Sequence, residues 1–395
     1  MRLGVEAAVV DGRLVRGDVE VDGSAVRAVG VGGGTGHGIA VPGFVDLQVN
    51  GFAGVDLAKA DEAGYARAGE AMLATGVTAY QPTFVTGPEE TIVAALRAMP
   101  GVDAELVGGE TARREVGGET ARREVGGATA GRAGAGPRIL GGHLEGPFLS
   151  PRRPGAHDPR HLRAPDPALL ERLLAAGPVR HVTLAPELDG ALELVDLLAN
   201  RGITVAAGHT DATAAQAHAA FDRAATTVTH LFNAMRPPTS RDPGIAFAAL
   251  AREDVTVQLI VDGHHLAPET VQAVRHAKPR RLALVTDAVA AAGAPDGAYT
   301  MGSVRVTAAK GKVTDERGHL AGSALTMIEA VRNLHRLGAP LEQAVHAATA
   351  VPAGIARRPD LGRLAPGAAA DVVILDDRLE IAKVLIQGEV VVAAA

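Results

Sequence analysis

The stretch "FVDLQVNGFAG", residues 44–54, decides between two parallel-sheet architectures. It opens as an apolar, strand-like run. In an open doubly wound sheet, the first strand usually leads into a glycine-rich phosphate loop. "VNGFAG" is a poor version of such a loop, so the run reads as the first strand of a closed barrel. Gln48 and Asn50 lie two positions apart within it, and side chains at that spacing in a strand share one face. Two histidines there would read as a metal pair. Two amides, which bind metals poorly, raise the question of whether the chain still holds a metal at all.

Outward from this run, short stretches rich in Val, Ile, Leu and Thr alternate with longer ones whose apolar residues recur at helical spacing. Strands are predicted near 43–48, 77–83, 138–144, 180–185, 203–208, 226–230, 255–261 and 281–286. Helices are predicted near 62–75, 88–99, 166–176, 189–200, 211–224, 244–252, 268–277 and 326–337. Eight strand–helix units specify a (β/α)8 TIM-like barrel of ~250 residues or more, placed at 42–362. Residues 1–41 and 363–395 instead carry short β-patterned runs with Gly and Asp turns. They are expected to join as one small β-sandwich domain, because chain termini often lie close together. Residues 298–315 read as a hairpin inserted after the last barrel strand. "GGETARREV" at 108–116 recurs unchanged at 117–125. With too little apolar surface to fold, the segment 108–130 reads as a mobile low-complexity insertion.

Composition narrows the partners. A net charge of -6 leaves no basic stripe for nucleic acid, and 3% aromatic residues are too few for base stacking. No apolar run approaches the ~18 residues of a membrane span. Zero cysteines exclude disulfides and thiolate ligands. No basic segment precedes an apolar stretch at the N-terminus, so a cytoplasmic location is expected. A small-molecule substrate is the expected partner.

The chemistry falls where barrel chemistry belongs, at the carboxyl ends of strands. Predicted strands end in "GGHLEGPF", "VAAGHTD", "TVTHLFNAM", "LIVDGHH" and "LALVTDA". Glu145, His209 and His230 each fall just past an apolar run, and a carboxylate with two imidazoles is a set that binds Zn²⁺ while leaving a position open. Asp287 also stands at a strand end, where a carboxylate beside a metal ion can accept a proton from water. An alternative reading makes it an N-cap for the following "AVAAAG". His157 and His265 belong to loops over the same mouth, and Arg241, in "TSRDPG", could grip an anion bidentately.

"HLEGPF", "GHTDA", "THLFNAM", "DGHH", "LVTDA" and "LAGSALTMIEAVRNL", in this order, resemble the N-acetylglucosamine-6-phosphate deacetylase family of the amidohydrolase superfamily. "PGFVDLQVNG" and "ATAVPAGIA…LGRLAPGAAADVVILD" extend the resemblance over nearly the whole chain. It implies cleavage of an acetamide to acetate and a 6-phosphorylated amino sugar, by a homodimer whose partner subunit completes the phosphate site. It also implies roles: Glu145, His209 and His230 as metal ligands, Asp287 as acid and base, and His157 as the group polarising the acetyl carbonyl. Asn233 and Ala234 would contact substrate, with Arg241 and His265 at the phosphate. Gln48 and Asn50 resemble the branch that keeps a single divalent ion, expected to be zinc. Two alternatives stand beside this reading: an amidohydrolase acting on a cyclic amide or the galactosamine isomer, and a non-catalytic barrel that has lost its metals.

Overall fold

The computed structural model describes residues 1–32, 36–102 and 136–393. The duplicated block at 108–125 and the insertion 108–130 lie outside the described residues. Eight parallel strands run in chain order around a barrel: Phe44–Val49, Val77–Val85, Gly142–Glu145, Val179–Leu184, Thr204–Ala207, Ala225–Val228, Thr256–Leu259 and Leu282–Leu284. Each pairs in parallel with its neighbours, and the first strand joins the second through Phe44↔Val77 and Asp46↔Tyr80. The ring closes beyond the last strand, where Asn50 N and Gly51 N donate to Ala288 O at 2.7 and 3.1 Å. The first strand is buried along its whole length. That is the expected state of a barrel strand with side chains packed inside and helices outside.

The barrel helices follow the anticipated positions, several with caps written in sequence. Asp61 accepts from Gly64 N ahead of Glu62–Leu73, and Asp166 caps Pro167–Ala176 with proline at the first turn. Thr213 and Gln216 form a capping box that satisfies two otherwise unpaired backbone donors, and Glu329 reaches back to accept from Thr326 N at 3.1 Å. Leu341–Ala348 and Ala350–Ile355 are two helices that the periodicity did not mark.

The third strand is broken, contrary to the continuous run expected at 138–144. Arg138–Ile139 pairs separately with the second strand, and Gly141 turns the chain at φ 97° before Gly142. A β-carbon at Gly141 would lie 2.8 Å from Pro178 O, so only glycine fits there. Residues 297–315 form three antiparallel strands, one more than a hairpin.

The two ends of the chain build one sheet, ordered 13–16, 7–10, 39–42, 372–375, 381–386, 389–393. The pair 18–22 and 25–31 covers it, with Val5, Val19, Val26, Val372 and Leu385 packed between. Val373 pairs with Val41, so the N-terminal strand leading into the barrel is held by the C-terminal one.

Candidate active site

The barrel ends at its carboxyl face in a cavity of about 390 Å³. Glu145 closes the third strand, and His209 and His230 follow the fifth and sixth. His209, His230 and Asp287 have φ of 47°, 28° and 50°, which non-glycine residues seldom adopt. Strain of this kind persists where surrounding structure enforces it, and here it turns three polar side chains in succession off their strands and into the cavity.

Glu145 Oε1 lies 3.1 Å from His209 Nε2 and 2.9 Å from His230 Nε2, and the two nitrogens are 3.1 Å apart. All three residues are buried. Burial opposes ionisation of Glu145, yet its hydrogen bonds with His157, His209 and His230 hold the carboxyl well below the usual range. Burial, then the charge of His157, pushes His209 down and favours its neutral ring. Nδ1 of His209 faces Arg153 O at 3.2 Å, so with a cation in the site the ring proton can rest on Nδ1 and leave the Nε2 lone pair for the ion. One carboxylate and two imidazole nitrogens at nearly equal spacing fit the donor set of a small divalent cation, whose ligands at ~2.0–2.2 Å from the ion stand about 3.3 Å apart. Among the described residues, these three form the group that could hold a metal ion.

The two amides of the opening motif each serve one acid. Gln48 Nε2 donates to Glu145 Oε1 at 3.0 Å, and Asn50 Nδ2 donates to Asp287 Oδ1 at 2.7 Å. Asp287 caps no helix, since Ala288–Ala294 forms none. Its carboxyl is pushed up to about 8 by burial and then by the negative charge of Glu145. Beneath it, the hydroxyl of Thr286 donates to buried Asp46 at 2.6 Å, anchoring the strand end.

His157 enters the cavity from the loop after the third strand. Its Nδ1 accepts from Thr86 N at 3.3 Å, so the proton sits on Nε2, 3.6 Å from Glu145 Oε2. Asp262 accepts from the backbone N–H groups of His264 and His265 and meets His265 Nδ1 at 2.7 Å, fixing that imidazole at the cavity wall. Asn233 and Ala234 line the cavity, with Ala234 O accepting from Thr210 N at 3.1 Å. Arg241 is the outlier: it is exposed and does not line this cavity. Arg152, Arg153, Arg317 and His319 do line it, and no strand-end motif marked them. Arg317 arrives from just beyond the three-stranded insertion and donates to Gly155 O at 3.0 Å, a position legible only once the insertion is seen folded over the mouth.

The chain is similar to known proteins over most of its length. The chain is 37% identical over 371 residues to human N-acetylglucosamine-6-phosphate deacetylase, covering 89% of this chain and 83% of that one. It is 36% identical over 357 residues to N-acetylgalactosamine-6-phosphate deacetylase of Escherichia coli O157:H7, covering 88% and 86%. A solved structure of a Mycobacterium smegmatis N-acetyl-D-glucosamine-6-phosphate deacetylase variant, in complex with N-acetyl-D-glucosamine-6-phosphate, superposes with a TM-score of 0.85 at 36% identity, covering 98% of both chains. The Thermotoga maritima N-acetylglucosamine-6-phosphate deacetylase gives 0.84 at 28% identity, covering 100% of both. The amidohydrolase family profile matches residues 39–391, from the last N-terminal strand through the barrel to the closing sheet, and the chain belongs to that family.

Proposed function

We propose that the chain hydrolyses the acetamide of N-acetylglucosamine 6-phosphate, giving glucosamine 6-phosphate and acetate, with one divalent ion, zinc, held by Glu145, His209 and His230. The observation that carries this reading is the meeting of those three ligand atoms with Asp287 in one cavity, in a chain so close to known deacetylases of 6-phosphorylated amino sugars. The retained set weighs against a dead barrel.

A divalent ion in that set supplies a Lewis acid, polarising the acetyl carbonyl and making water acidic near neutrality. Asp287 takes the proton of the attacking water as its oxygen bonds to the acetyl carbon. The Nε2–H of His157 donates to the carbonyl oxygen as negative charge develops there. Asp287 then hands its proton to the amine nitrogen as the C–N bond breaks, since an unprotonated amine leaves very poorly. Asn50 holds Asp287 and Gln48 holds Glu145, so both acids keep their orientation through the cycle.

His265, Asn233 and Ala234 bind the sugar phosphate from within the chain. Arg241, exposed and outside its own cavity, reaches the phosphate of a partner subunit in a homodimer. The barrel domain is taken as 42–362 and the β-sandwich domain as 1–41 with 363–395. Among the described residues, no helix is long and apolar enough to cross a membrane, and the cysteine-free composition suits a reducing cytoplasm.

Acetate release from both 6-phosphorylated N-acetyl amino sugars, with and without a chelator, tests the reading. Chelator-sensitive release, faster from the glucosamine compound, is expected. Faster release from the galactosamine epimer would reassign the substrate, and no release from either would overturn the proposal.

A further inference from the structure

A second polar cavity of about 400 Å³ lies at the opposite end of the barrel. Thr204, Thr226 and Thr256 place it at the N-terminal ends of the fifth, sixth and seventh strands, away from the mouth. Arg280 and Arg281, just ahead of the eighth strand, line it with Arg357, just past the helix Ala350–Ile355. Among the described residues, none of these three guanidinium groups has a hydrogen bond or a carboxylate at salt-bridge distance. Arg357 is held at φ 58°, a strained conformation for a side-chain-bearing residue. His346 faces the same space, half-buried. The one acid in the lining, Asp254, is already clamped by Arg252 through both oxygens, at 2.8 and 2.7 Å.

Three exposed guanidinium groups without a hydrogen-bonded acid face one cavity, only Arg281 feeling the charge of Asp254, and an anion between them lowers their mutual repulsion. Guanidinium forks match phosphate oxygens bidentately. The Thr226 and Thr256 hydroxyls add neutral donors, and the volume suits a small molecule. We propose that this cavity binds a phosphate dianion, free or as the terminal group of a small metabolite, at a site separate from the catalytic mouth.

Equilibrium dialysis with inorganic phosphate reads the site directly. Wild type should take up one equivalent beyond that bound at the mouth. Arg280→Ser/Arg357→Ser should bind this extra equivalent at least about tenfold more weakly, the loss expected when a charge-assisted hydrogen bond is removed. Acetate release should be unchanged. The single change Arg281→Gln, at an exposed position, should weaken binding in the same direction. Tighter binding of methyl phosphate or a sugar phosphate than of the free ion would identify an esterified ligand, and the reverse order the free ion. Equal phosphate uptake by wild type and the double variant would overturn the proposal. So would a duplex oligonucleotide retained only by wild type while small phosphates show no second equivalent.

Discussion

Asp287 combines a strained backbone, a buried place in the cavity wall and, among the described residues, one side-chain donor, Asn50, at 2.7 Å. Asp287→Asn keeps the shape and removes the proton acceptor. Turnover should fall by about 10²–10⁴-fold, as for loss of a general acid–base group, while metal content and fold persist; near wild-type rates or a lost metal would remove Asp287 from that role. The same residue makes a stability prediction for the metal-free protein. A carboxyl raised from an ordinary value near 4 to about 8 contributes stability that is whole below the lower pH and is lost as pH rises through the upper one. Metal-free wild type should therefore lose thermal stability relative to metal-free Asp287→Asn between those limits, and parallel melting profiles would show that the carboxyl is not so perturbed. Metal content tests the ligand set: after dialysis the protein should retain one equivalent, and His209→Ala should lose it. Two retained equivalents would mean that Gln48 and Asn50 belong to a second site rather than bracing Glu145 and Asp287. The meeting of Glu145, His209 and His230, proposed here as ligands, is legible in the sequence because apolar runs ending in a polar residue, in a parallel barrel, all deliver that residue to one face. The contact of Thr86 N with His157, across 71 positions, is not legible. It depends on how two loops pass each other, which no periodicity encodes.

At the scale of elements, strands and helices were readable because their periodicities and caps agree. The exceptions have local causes: the strand breaks where Gly141 adopts a φ of 97° that few other residues tolerate, and Ala350–Ile355 spans six residues, too short for helical periodicity to register. The joint between the barrel and the terminal sheet was also hidden in sequence. Arg138, at the start of the broken third strand, donates to Asp371 at 2.9 and 3.3 Å, and Asp371 also accepts from Gln387 N at 2.8 Å. Both side chains are largely enclosed. Removing Asp371 takes away the acceptor shared by the Arg138 guanidinium and Gln387 N, and hydrogen bonds to a charged group are worth about 1.5–3 kcal/mol. Asp371→Ala should lower stability by that order in denaturant unfolding, whereas the exposed pair of Arg223 with Asp196 should tolerate Asp196→Ala with a change of about 1 kcal/mol or less. Equal effects of the two substitutions would show that the joint contributes no more than surface charge.

For the whole molecule, the proposed role of Arg241 bears on how many chains make one site. Arg236 donates to both Asp211 and Asp242, and Thr239 N donates to Asp242 O at 2.8 Å, so the loop carrying Arg241 is braced while Arg241 itself points to no partner in its own cavity lining. A braced loop presenting an exposed guanidinium is suited to completing a neighbour's site. Arg241→Ala should reduce use of the 6-phosphorylated sugar by about ten- to a hundredfold, the worth of one charge-assisted hydrogen bond, and spare its unphosphorylated analogue. The two impaired variants Arg241→Ala and Asp287→Asn, assayed on the 6-phosphorylated sugar, then provide the decisive mixture. If Arg241 serves the neighbouring subunit, then in a mixed dimer the subunit with intact Asp287 receives Arg241 from its partner, and one of the two sites works. Free exchange of equal amounts makes half the dimers mixed, and about a quarter of all sites should recover. If Arg241 served its own chain, every site in the mixture would still lack one group, and exchange would restore nothing.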